Sequence, residues 1–369
     1  MVFYKLEPRH EDEPTVSFPP TAPLSGVRRS LVRLTMQPGW VLLGVVTAIG
    51  VVRAVVAPGL FLPRSYQFVP LVASVAVLGL PHGAVDHLTP ARARNRRAGL
   101  RDMATVGLLY AVLGGLYAAL WVLVPVAAFV VFILLTWLHW GQGEVHALGA
   151  IAAVDHLETP AQRALTALAR GTLPMLVPLV AFPGEYRFVA ETLVGLFGGS
   201  LGPLTGVFSA TGRLVVALLV GTLLSTTLAL GYVRADSTRG WAVDAGEVGL
   251  LVAFFGVVEP ILAVGLYFNC WHALRHVGRL MALDSDARTA LATGRPGRAL
   301  ARFTRDATPL TLASLLLLAG FAALLPTSPA GLADLVGLYL VLIAALTLPH
   351  VVVVAHLDRV QDVGPPERM

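Results

Sequence analysis

Residues 103–146 read MATVGLLYAVLGGLYAALWVLVPVAAFVVFILLTWLHWGQGEVH, with no Asp, Glu, Lys or Arg before Glu144. Pro125 divides the stretch into two apolar runs of about 20 residues, and a helix of that length crosses a hydrocarbon core roughly 30 Å thick. A β-barrel would instead show short segments alternating between apolar and polar residues. These runs do not alternate. They predict two membrane-crossing helices, at about 103–123 and about 126–146, joined by a tight turn.

The pattern recurs along all 369 residues, which are 56% hydrophobic and only 13% charged, with a mean hydropathy of +0.74. A soluble chain carries roughly twice that charged share. The expected fold is an all-α, polytopic transmembrane helical bundle of about ten spans. The other eight lie at about 39–57, 67–87, 163–182, 212–232, 245–258, 260–278, 308–325 and 332–354. Glu259-Pro260 separates the seventh from the eighth, because proline disfavours helix in the residue before it. A nine-span bundle with 245–258 re-entrant is the alternative. Residues 1–38 are polar and proline-rich, without the pattern of a signal peptide, and are expected to form a disordered cytoplasmic tail. Residues 39–356 are expected to form a single transmembrane domain that carries any catalytic site, and 357–369 a short cytoplasmic tail. The loops 183–211 and 281–306 carry no recognisable function.

The net charge is +5, yet Lys5 is the only lysine. That bias resembles genome composition more than a nucleic-acid surface, and no nucleic-acid partner is expected. Cys270 is the only cysteine, which excludes an intrachain disulfide framework. The arginines are informative through their positions. They crowd the segments before span 1 and after spans 2, 6, 8 and 10, while the alternate loops hold little beyond Arg64, Arg187 and Arg213. Positively charged short loops stay in the cytoplasm, so both termini are expected there.

With that orientation the even-numbered spans all end at the cytoplasmic face. Span 2 ends in LGLPHGAVDHL, span 4 in LTWLHWGQGEVHAL, span 8 in NCWHALRHVGRL and span 10 in LTLPHVVVVAHLDR. Eight of the ten histidines fall in these four segments. Ionisable residues within spans are costly and by default mark function. His272 and His276, at i and i+4, share one helix face, and His82 and His139 arrive at the same depth, so these four are the candidate metal ligands. Asp86 is placed to receive a ligand histidine's second N–H, and His350 is a further ligand, a supporting donor or a wall residue. Glu144 and His146 lie beyond His139 near water, His87 faces away from His82, and His356 belongs at headgroup level. His10 and His156 are read as surface residues, Arg275 and Arg279 as anchors facing the headgroups. Trp137, Trp140, Tyr267, Phe268 and Trp271 flank the ligands and are candidates for lining an apolar substrate tunnel.

Imidazoles suit iron, copper, zinc or nickel, whereas magnesium and calcium prefer oxygen. No H-E-x-x-H, phosphate loop, serine elbow or C-x-x-C occurs. Redox chemistry on a lipid-soluble substrate remains. A di-iron desaturase or hydroxylase would carry H-x-x-H-H boxes, which are absent. A bis-histidine haem protein and a non-catalytic retinal-protein assembly factor are the other rivals.

The ordered set PHGAVDH, HWGQGE, WHALRH and TLPH, spread over residues 81–350, resembles the Brp/Blh family, the β-carotene 15,15'-dioxygenases associated with microbial rhodopsins. The resemblance implies a multi-pass cell-membrane enzyme that uses non-haem Fe(II) and O2 to split β-carotene at its central double bond. Two molecules of all-trans retinal result, with an opsin as a functional partner. It also implies iron ligands at His82, His139, His272 and His276. Glu144 stands where an aspartate is expected.

Overall fold

The structure, a computed structural model, describes residues 24–324 and 330–361. Those residues form helices and connecting turns, with no strand among them. The first helices are α1 (Leu24–Leu31), α2 (Gln37–Val56), α3 (Arg64–Gln67), α4 (Val69–Ser74) and α5 (Thr89–Ala93). Then come α6 (Leu100–Leu123), α7 (Pro125–His146), α8 (Pro160–Ala181), α9 (Pro183–Gly195), α10 (Ala210–Arg234) and α11 (Thr238–Val257). The chain continues with α12 (Pro260–Tyr267), α13 (Leu274–Leu283), α14 (Ser285–Ala292), α15 (Pro296–Leu324) and α16 (Leu332–Val360).

Eight helices are long and apolar enough to cross a membrane: α2 with its α1 extension, α6, α7, α8, α10, α11, α15 and α16. They bear out the polytopic helical bundle. Leu214, Leu218 and Leu219 on α10 and Leu316 on α15 point outward, 60–76% exposed. In water such a belt would be an association hazard; against lipid tails it is neutral. Helix starts follow local chemistry. Proline opens α7, α8, α9 and α12, where its missing N–H has no partner to lose. Thr159, Ser209 and Asp284 cap α8, α10 and α14 by accepting backbone N–H groups.

Two of the ten predicted spans differ from the other eight, and both carry candidate ligands. Residues 67–87 are not one helix. After α4 the backbone runs through consecutive turns, with Ala84 N–H on the Pro81 carbonyl, Asp86 on Gly83 and Leu88 on Val85. Gly79 packs so closely against the Ser74 carbonyl and the Tyr339 hydroxyl that a Cβ there would collide, and Pro81 withholds its N–H. Irregular backbone at membrane depth is tolerated where protein encloses it, and Leu80, Ala84 and Val85 are buried. The predicted span 260–278 is helical, but as an interior rod of α12, a π-helical turn over Phe268–Ala273, and α13.

Other boundaries shift. Residues 1–23 lie outside the described residues, but 24–38, expected in the disordered tail, are helical, with Val27, Leu31 and Met36 buried in the core. The expected 183–211 loop contains α9. The expected 281–306 loop holds the end of α13, all of α14 and the start of α15. α7 and α8 meet at two glycines, Gly141 against the Ala167 backbone and Gly171 against the Trp137 backbone. Small residues allow such close helix approach, which fixes the depth of His139 relative to α8.

Candidate metal centre

Five histidines from four parts of the chain converge in the interior. His82 comes from the turn segment after α4, His139 from α7, His272 from the π turn, His276 from α13, and His350 from α16 just after Pro349. All are at most 9% exposed. Neighbouring ring centroids lie 4.7–6.3 Å apart. Nε2 of His139 stands 3.1 Å from Nε2 of His272. Two nitrogens bound to one ion at 2.0–2.1 Å, near a right angle, stand about 3 Å apart. Donor atoms of His82, His139 and His350 lie within 4.8 Å of one another, as do those of Asp86, His276 and His350.

The other ring nitrogens are directed by the protein. His82 Nδ1 bonds to the Gly79 carbonyl, which leaves Nε2 for the cluster. His350 Nδ1 bonds to Asp86 Oδ2 at 2.7 Å, and Tyr110 donates its hydroxyl to the same oxygen at 2.6 Å. Nε2 of His276 and of His350 are buried without a hydrogen-bond partner. A buried polar atom without a partner costs about 1–3 kcal/mol, and a bound cation removes that cost. The donor set is nitrogen-rich and suits iron, copper or zinc, so the residues present fit a resident transition metal.

Behind the cluster lies a network of buried charges. Arg170 donates to Glu144 Oε2 at 2.5 Å, to Glu247 Oε2 at 2.9 Å, and to Asp244 Oδ1 at 2.8 and 3.0 Å. Arg275 donates to Glu144 Oε2 at 3.0 Å and to Glu247 Oε1 at 2.6 Å. Indole N–H groups complete the carboxylates, Trp271 on Glu144 at 2.9 Å and Trp40 on Glu247 at 2.5 Å. His156 bonds to the far oxygen of Asp244 at 2.9 Å.

The structure corrects four readings here. Arg275, expected at the headgroups, is buried and ion-paired. So is Arg279, on Asp358 at 2.6 Å. His156, expected at the surface, is 1% exposed. Glu144 lies among these charges, away from water. The physical reason is helical rotation. Successive residues turn by 100°, so Trp271 and Arg275 face the network while His272 and His276, one position on, face the metal cluster. Arg170, Asp244, Glu247 and Tyr110 were not singled out from sequence. The first three carried a signal all the same, being charges within or beside predicted spans.

A cavity of about 630 Å³ opens onto the histidines and is lined by His82, His139 and His350. Ala333, Val336, Leu340, Ile343, Thr347 and His350 line it along one face of α16. From Ala333 to His350 is 17 residue steps, roughly 25 Å at 1.5 Å per residue. It continues past His350 along Met103, Val106 and Tyr110 of α6 and Pro309 to Leu317 of α15. α6 runs antiparallel to α16, since Gly114 packs on the Ala345 carbonyl while Tyr110 reaches His350 through Asp86. Met103 therefore lies beyond His350, and the imidazoles stand between two arms of the cavity. Of the aromatic candidates, Trp140 and Phe268 line it; Trp137, Tyr267 and Trp271 do not. Trp137 instead packs at the α7–α8 crossing and donates to the Leu168 carbonyl at 2.7 Å.

Residues 73–358 match the family described as "Beta-carotene 15,15'-dioxygenase". The chain is 45% identical over 336 residues to "Probable beta-carotene 15,15'-dioxygenase Blh" of Halobacterium salinarum, covering 91% of this chain and 95% of that protein. It is 32% identical over 317 residues to "Probable beta-carotene 15,15'-dioxygenase Brp" of the same species, covering 83% and 87%. No solved structure matches. The matched residues include all five converging histidines, and the chain belongs to the β-carotene 15,15'-dioxygenase family.

Proposed function

We propose that this protein cleaves β-carotene at its central 15,15' double bond with O2, giving two molecules of all-trans retinal. In this reading a mononuclear non-haem Fe(II) is held by His82, His139, His272 and His276. The observation that carries the reading is a cluster of buried imidazoles opening on the middle of a long, largely apolar cavity. A ferrous ion there supplies the activation of O2. In the overall reaction one C=C bond breaks and two C=O bonds form, and both oxygen atoms come from O2. No external reductant and no net proton transfer are needed, in keeping with a site that has no free carboxylate pair.

The chain's own residues bind and orient. The face of α16 from Ala333 to Ile343 holds one half of the polyene, while the gap lined by α6 and α15 receives the other. Trp140 and Phe268 pack against the conjugated chain near the imidazoles. Burial of the rings keeps water from the cleaved bond. The site lies toward the cytoplasmic side of the cell membrane in this reading, with both termini in the cytoplasm. That is supported by the arginines carried by the segments at that end, Arg92 and Arg302 among them, which are ion-paired with Asp284 and Asp306. Retinal released there serves a retinal-binding opsin.

The test is expression in cells that accumulate β-carotene. Wild-type protein bleaches the orange cells and yields retinal by chromatography, and the purified protein carries about one iron per chain. If His272→Ala or His276→Ala makes retinal at the wild-type level, the four-histidine site is wrong.

A further inference from the structure

We propose that His350 is a fifth imidazole donor to the same metal, through Nε2, and that Asp86 and Tyr110 are its positioning residues. The proposal rests on the metal reading above and extends its ligand set. Three observations carry it. His350 Nε2 is buried and has no hydrogen-bond partner. His350 is the one residue common to the two groups whose donor atoms lie within 4.8 Å of one another among the described residues. Its ring centroid lies 4.7 Å from that of His139 and 5.1 Å from those of His82 and His276, in the middle of the proposed ligands.

The hydrogen bonds on the far side of the ring set its role. Asp86 Oδ2 accepts from Nδ1 at 2.7 Å, which fixes the tautomer with the proton on Nδ1 and the lone pair on Nε2. With no proton, Nε2 cannot donate, and neither it nor His276 Nε2 has a hydrogen-bond partner. A cation satisfies both at once. A carboxylate on the distal N–H also makes an imidazole a stronger donor. Tyr110 adds a hydroxyl to the same oxygen at 2.6 Å and holds Asp86 in line. Pro349, inside α16 immediately before His350, lacks the N–H that would bond back to the Ala345 carbonyl. His350 would hold the ion from the cavity side, since it lines the cavity together with His82 and His139.

The experiment uses full-length protein in detergent, stripped of metal and titrated with Co(II), whose visible bands report ligand number. Wild type is compared with His350→Gly, Asp86→Asn and Tyr110→Phe. The expected result is a changed band pattern and at least 10-fold weaker Co(II) binding in His350→Gly, with the wild-type spectrum restored by added imidazole. Asp86→Asn keeps every imidazole and is expected to weaken binding 10–100-fold, with Tyr110→Phe closer to wild type. An unchanged spectrum and affinity in folded His350→Gly overturns the proposal while leaving the four-histidine site standing. If His350→Gly does not fold, Asp86→Asn decides, and wild-type spectrum and affinity there overturn it. Wild-type protein that takes up no Co(II) or Fe(II) overturns the metal reading itself, and His350 with it.

Discussion

Arg275→Leu tests whether the buried charge network holds the ligand-bearing rod in place. Arg275 is 3% exposed and donates to Glu144 and Glu247, both also buried. Removing it leaves three carboxylates, Glu144, Glu247 and Asp244, facing the single guanidinium of Arg170. Breaking one side of a buried pair costs about 3–5 kcal/mol, because the partner charge stays behind unpaired. At about 2 °C per kcal/mol for a chain this large, the melting temperature falls by roughly 6–10 °C. Thermal unfolding of the detergent-purified protein measures it. The stacking of Arg275 over the Trp271 ring, 3.9 Å to the centroid, is lost as well. Two further variants separate charge from packing. Arg275→Lys keeps the charge but not the planar fork that bridges two carboxylates, and should recover part of the loss. Glu247→Gln, destabilising alone, should become favourable in the Arg275→Leu background, with a coupling of about 0.5–3 kcal/mol. If Arg275→Leu unfolds within about 1 °C of wild type, well inside the shift expected from the conversion above, the network is not what fixes the rod. Strictly additive double variants would lead to the same conclusion.

Leu340→Trp fills the cavity face of α16 ten residues, roughly 15 Å, from His350. It should cut β-carotene turnover about 10-fold or more while metal content stays at the wild-type level. Equal losses of metal and turnover would mean the arm is not a substrate path. Gly171→Val drives a branched side chain into the Trp137 backbone, and overpacking of this kind costs about 1–3 kcal/mol. A lower melting temperature is expected, and an unchanged one would mean that α7 and α8 approach less closely than described.

Most of the fold was legible because lipid-facing helices advertise themselves by composition. The eight helices with strong apolar runs were found from sequence; their ends were misplaced where helix continues beyond the membrane, as α15 does from Pro296. Of the two spans that were less well read, 260–278 and the second half of 67–87 face protein on nearly all sides, while Val69, Val72 and Val77 are exposed. The enclosed residues answer to neighbours instead of lipid, so hydropathy carries less information about them. Gly79 fits a gap beside Ser74 and Tyr339, a contact between positions 265 residues apart along the chain. No local pattern encodes that.

The site shows the same division. Spacing brought forward His272 and His276, and their shared helix face is the one the cluster uses. Arginine was harder to read, because the same residue type at the same depth serves as a topology anchor or as a buried ion. What separates the two is the partner. Arg275 meets Glu144 from α7 and Glu247 from α11, and neither contact can be seen from the sequence around Arg275. Yet the total was countable in advance. Arg170, Asp244 and Glu247 all fall in or beside predicted spans, and charges at that depth must find one another or be neutralised. Two arginines and three acids in membrane helices therefore imply an internal network before any coordinate is known. Since Trp271 and Arg275 belong to it, the same inference orients the rod and turns His272 and His276 toward the other histidines. Arg275, read from sequence as a headgroup anchor, instead helps to set which way His272 and His276 point.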